Sequence, residues 1–133
     1  MGGHSDLRRR RPAIVVALLV LGVGGCGGGR AGSFAAQATS GESHYRESCA
    51  GCHQATGGIG PVLSRRVLAS YGSAAGLFTY LRTTMPYGAP RTLEEDAYWA
   101  IVAFLVDSLG GGVPPRALDA GNAAQVLLTL DGS

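Results

Sequence analysis

In Cys49-Ala50-Gly51-Cys52-His53, two thiols stand three positions apart and an imidazole follows directly. On a helical turn, positions i and i+3 are neighbours, so both sulfurs face one object. The spacing Cys-x-x-Cys-His is that of c-type haem attachment, with two thioethers to one porphyrin and the histidine as an iron ligand. A thioredoxin-type pair would instead follow a strand of a βαβ unit, and no strand alternation occurs in this chain. A zinc site would need a second cysteine pair or histidines at ligand spacing. Beyond the N-terminal segment only His44 and His53 remain.

Toward the N-terminus, Arg8, Arg9, Arg10 and Arg11 precede an apolar run over residues 13–23. A run of about 11 residues falls short of the roughly 20 that span a hydrocarbon core. It has the dimensions of a signal peptide, so residues 1–25 are expected to direct export. Leu21-Gly22-Val23-Gly24-Gly25-Cys26 resembles a bacterial lipobox. That resemblance implies lipidation of Cys26 and attachment to the membrane, each buried methylene contributing about 0.8 kcal/mol. Residues 26–40, small and polar, then read as a flexible tether. The expected location is the outer face of the cytoplasmic membrane or the periplasm.

The net charge of +2 belongs to that leader. Without residues 1–25, seven arginines face eight acidic residues, a formal charge of −1, and there is no lysine. No basic face remains to neutralise phosphates, which excludes nucleic acid as a partner.

Around the cysteine pair, residues 41–109 resemble class I cytochrome c. Gly41 and Tyr45 precede Cys49 by eight and four residues. They match the small and aromatic positions of that family's N-terminal helix, a face that implies a close crossing with the C-terminal helix. Gly60-Pro61-Val62-Leu63 follows a glycine-rich loop and resembles the family's Gly-Pro-x-Leu. In that motif the proline carbonyl accepts a hydrogen bond from Nδ1 of the ligand histidine, so Pro61 is expected to orient His53.

Six-coordinate electron-transfer iron needs a second axial ligand. Met1 leaves with the leader, which makes Met85 the one remaining thioether. It stands in Thr83-Thr84-Met85-Pro86-Tyr87-Gly88-Ala89-Pro90, similar to the family's Met-Pro loop. Pro86 biases Met85 toward extended backbone, which ends the preceding helix. His44 shares a helix with Cys49 and should point away from the ring, so it reads as a surface residue.

Ser73 is a fitting N-cap for a helix bearing Leu77 and Leu81. Thr92-Leu93-Glu94-Glu95 predicts a capping box for a helix running to Leu109. On that helix Tyr98, Ile101, Val102 and Leu105 form one apolar face. Trp99, Ala100, Ala103 and Phe104 widen it almost all round, and Ile101, Phe104 and Leu105 match the family's crossing positions. Trp99 reads as a packed aromatic. Residues 111–133 read as a tail outside the resemblance, with a short helix after Asp119.

The expectation is an all-α, small class I cytochrome c fold over residues 41–110, three to four helices around one covalent haem c. Iron held by His53 and Met85 has no open site. The function implied is single-electron transfer between redox protein partners, without catalysis by the chain itself. It would act as a membrane-tethered carrier or as the cytochrome subunit of a respiratory or dehydrogenase complex. The alternative, a haem peroxidase or gas-binding sensor with Met85 displaced, finds no supporting constellation of His, Lys or Arg.

Overall fold

The computed structural model describes residues 1–2, 32–54, 57–110 and 112–130. The leader's basic and apolar stretches and Cys26 lie outside the described residues. Five α-helices follow in order: α1 (Phe34–Ser48), α2 (Ala50–His53), α3 (Arg65–Ala69), α4 (Ala74–Thr84) and α5 (Glu95–Leu109). A single 3₁₀ turn, Ala123–Gln125, comes last. Among the described residues there is no strand, only an isolated bridge between Ser73 and Leu127. The fold is all-α. No described helix is long and apolar enough to cross a membrane.

α1 begins earlier than the tether reading allowed. The Ser33 hydroxyl accepts from the Ala36 amide at 3.2 Å, satisfying one of the free amides at a helix start. Phe34, Ala38 and Gly41 then fall on one buried stripe. Residues 34–40 are therefore helix, because Phe34 and Ala38 have an apolar surface to cover and alanines favour the conformation.

That stripe meets α5, the central element. Nine of its 15 residues are buried, Tyr98, Ile101, Val102 and Val106 almost completely. A helix apolar on all sides must be enclosed. α1 covers one side, α4 another, with Phe78 stacked on Trp99 at 3.7 Å between ring centroids. Where α1 crosses, a Cβ at Gly41 would run into the Ala100 carbonyl. The bare glycine sets the interhelical distance, and Tyr45 packs on Phe104 beside it at 5.2 Å.

The expected capping box is absent. Glu94 occupies the N-cap without a side-chain bond, and the Thr92 hydroxyl turns back to the Ala89 carbonyl at 2.8 Å. The loop before α5 uses Thr92 to close itself; Glu95 and Asp96 in the first turn complement the helix dipole instead. At the other end α5 stops at Gly110 in the left-handed conformation, as expected. Arg65 donates to the Leu109 carbonyl at 3.1 Å, joining α3 to that terminus.

Residues 112–130 are not an appendage. Leu118, Ala123 and Leu128 enter the same core as α4 and α5. The Gln37 side chain both donates to the Leu118 carbonyl (3.0 Å) and accepts its amide (2.7 Å). Ala117 donates to Gly32, Ala74 to Val126 and Leu128 to Gly72. The segment thus closes the ends of α1 and α4. Its regular structure is one 3₁₀ turn, which accounts for its weak pattern in the sequence.

Candidate haem-binding site

The cysteine pair sits where α1 breaks. Cys49 still donates to Tyr45 at 2.8 Å, but its φ of −127° leaves the helix. Its carbonyl then accepts the amides of both Cys52 (3.1 Å) and His53 (3.0 Å), starting the single turn α2. One turn therefore carries two free thiols and the imidazole to the same wall, Cys49 half-buried and Cys52 exposed. Burial first, and then neighbouring Cys52, pushes the Cys49 thiol up to about 11. At neutral pH it is a thiol, not a thiolate.

His53 is held from below. Its Nδ1 lies 2.8 Å from the Pro61 carbonyl. A carbonyl only accepts, so Nδ1 carries a proton, and in the neutral ring it is Nε2 that keeps the lone pair. The Gly60 amide donates to the Cys52 carbonyl at 2.9 Å, drawing the loop under the ring. A Cβ at Gly60 would lie 2.9 Å from Cε1 of His53, so a glycine is what lets the proline carbonyl reach the imidazole.

Met85 comes from another element, the C-cap of α4, with the extended backbone that Pro86 requires. The Ser73 hydroxyl caps the other end of α4 by accepting from Gly76. Met85 is fixed on both sides of its Cα: its amide donates to Leu81 at 2.8 Å, and its carbonyl accepts from the Tyr98 hydroxyl at 2.9 Å.

Cys49, Cys52, His53, Pro61 and Met85 all line one cavity of about 350 Å³. Its apolar walls include Leu63, Leu68, Leu77, Leu81, Ile101 and Leu105. Among the described lining residues there is no Asp, Glu, Lys or Arg, and the one imidazole is His53. The remaining polar groups are Ser48 and the phenols of Tyr45, Tyr71, Tyr80 and Tyr87. Tyr71 and Tyr80 pack at 4.8 Å, and burial, then the proximity of Tyr80, raises the Tyr71 phenol above its usual range. The donor set fits a porphyrin: two thiols, a nitrogen with a free lone pair, a neutral thioether and an apolar box. Acid–base catalysis finds little there to use.

His44 lies on α1, half-buried and outside the cavity lining. Trp99 is buried, stacked on Phe78, and does not line the cavity. Tyr98, on the sequence only a member of an apolar face, also ties Met85 through its hydroxyl. Its hydroxyl was the available signal, since a buried phenol needs a partner. Among the described residues, no group of three or more His, Cys, Asp or Glu side chains could hold a metal ion.

An all-helical domain that gathers these groups on one apolar cavity is of the c-type cytochrome class. Over residues 36–105 the chain matches the family described as cytochrome c oxidase, cbb3-type, subunit III, and it belongs to that cytochrome c family. The protein accordingly carries covalently bound haem c. Among solved structures it is similar to the sulfane dehydrogenase SoxCD from Paracoccus pantotrophus, with 26% identity and a TM-score of 0.49. That alignment covers 73% of this chain and 53% of the other, so the chain spans about half the length of the matched one. No curated protein sequence matches significantly.

Proposed function

We propose that this protein is an outer-sphere, single-electron relay whose haem is bonded to Cys49 and Cys52 and ligated by His53 and Met85. The observation that carries the reading is the convergence of all four side chains on one cavity without a charged lining residue. The bound haem supplies the redox couple. The chain's own part is to hold two ligands still, keep water from the apolar walls and leave an edge accessible. Pro61 keeps the His53 proton on Nδ1, so that Nε2 is the nitrogen offered to iron. A haem held by one thioether and one imidazole would favour the reduced state relative to one held by two imidazoles.

Held by both His53 and Met85, the haem iron would have no position left for substrate, and the partners would be other redox proteins. The lipobox-like sequence ending at Cys26 supports export and a lipid anchor that keeps the relay beside membrane partners, either as a free carrier or within a respiratory or dehydrogenase complex. A pyridine haemochrome assay tests the attachment. One haem per chain, resistant to acidic acetone extraction, is expected, and Cys49→Ala/Cys52→Ala should retain none; extractable haem in the intact protein contradicts the reading.

A further inference from the structure

Tyr98 is 2% exposed yet carries a hydroxyl, and that hydroxyl is bonded to the Met85 carbonyl at 2.9 Å. It does not line the cavity, so any influence on the haem passes through Met85. Its own position is set from elsewhere. It lies one turn before Ile101 and two before Leu105, both on the cavity wall, and its ring stands edge-on to Phe78 at 6.4 Å and 82°. The loop that follows Met85 has few such ties. Among the described residues its other side-chain hydrogen bond, from Thr92 to Ala89, is internal. The ion pair across its ends, Arg82 with Glu95, is 3.8 Å long and exposed on both sides, and such pairs fix little.

Methionine is a flexible ligand with three rotatable bonds. A backbone free to drift would add its own disorder to that of the side chain, and both oppose a bond to iron. Resting on the reading of Met85 as axial ligand, we propose that Tyr98 is its positioning residue: the phenol, anchored in α5, fixes the Met85 carbonyl and so holds the thioether in the haem cavity. Removing the hydroxyl leaves a half-buried carbonyl without its partner and shifts the competition for the iron toward ligands from solution.

The experiment uses the oxidised holoprotein with Tyr98→Phe, which keeps the ring and its contact with Phe78. Imidazole is titrated in while the sulfur-to-iron charge-transfer band is followed. The variant is expected to keep the band without imidazole but to lose it at roughly three- to tenfold lower imidazole concentration than the parent. Met85→Ala, run alongside, should show no band from the start. An unchanged imidazole affinity in Tyr98→Phe, with the band absent in Met85→Ala, overturns the positioning role and leaves the ligand assignment standing. A lower melting temperature with unchanged imidazole affinity also overturns it, since that is a structural role alone. A band that persists in Met85→Ala overturns the ligand assignment and the proposal together. Should Tyr98→Phe not accumulate as holoprotein, proton NMR of the reduced parent decides. A slowly exchanging Tyr98 hydroxyl with cross-peaks to Met85 or Pro86 supports the bond, and a rapidly exchanging one overturns it.

Discussion

Gly41 of α1 lies directly against the backbone carbonyl of Ala100 in α5, with no side chain between the two helices. α1 carries this crossing toward the cysteine pair, since it runs from Gly41 to Ser48, next to Cys49. Gly41→Ala drives a methyl into rigid backbone, and overpacking of this kind costs about 1–3 kcal/mol, more where neither helix can retreat. The expected outcome is a markedly lower melting temperature and a poorer yield of holoprotein. Gly51, with open space around it, is the control: Gly51→Ala should leave both nearly unchanged.

The loop under His53 makes a second prediction. Gly60→Ala forces its new methyl against the imidazole and moves the Pro61 carbonyl from Nδ1. A histidine that loses this hydrogen bond is a weaker donor to iron. The reduction potential should rise, measured by titration against mediators. An unaltered potential would mean that Pro61 does not tune the ligand.

Residues 112–130 should prove necessary to the domain. Leu118 is 2% exposed and packs beneath α1, so Leu118→Ala is expected to cost about 2–5 kcal/mol in denaturant unfolding. A loss below about 0.5 kcal/mol would show the segment to be dispensable after all.

The same segment carries a pH dependence. Asp119 has its carboxyl held below the usual range, chiefly by the Gly121 amide, with Arg116 and the Asn122 amide assisting against partial desolvation. A carboxylate with a depressed folded pKa adds stability above its unfolded pKa, and that stability is lost as pH falls through the folded value. Asp119→Asn should therefore melt below the parent at neutral pH. The gap should close as the pH falls through and below the ordinary carboxylate range. A gap independent of pH would contradict this account.

The cysteine turn was legible in the sequence because it rests on local spacing, and the α1–α5 crossing because Gly41 and Tyr45 resemble the family's N-terminal helix. The Cys-x-x-Cys-His run reports its geometry through residue type and interval. Pro61 was legible only through the resemblance to the family's Gly-Pro-x-Leu, since a Gly-Pro pair by itself marks no more than a turn. Thr92 misled: a threonine three residues before a glutamate fits a capping box, but the loop took the hydroxyl for its own closure. Phe34 was obscured by the small residues around it. The packing of Leu118 and the bond from Tyr98 to Met85 depend on contacts across the fold, and no spacing in the chain announces them.

Anchorage is tested separately from the haem. Cys26→Ser, expressed with its own leader, should move the protein from the detergent phase to the aqueous phase on Triton X-114 partition. A variant that stays in the detergent phase would remove the lipid anchor from this account.

On the proposed function, Met85 completes the iron's coordination and leaves the relay no open site. Near-infrared absorption of the oxidised holoprotein measures it most directly. A sulfur-to-iron charge-transfer band in the parent that vanishes in Met85→Ala is the predicted result. A parent without the band, or a band that survives in Met85→Ala, would contradict it.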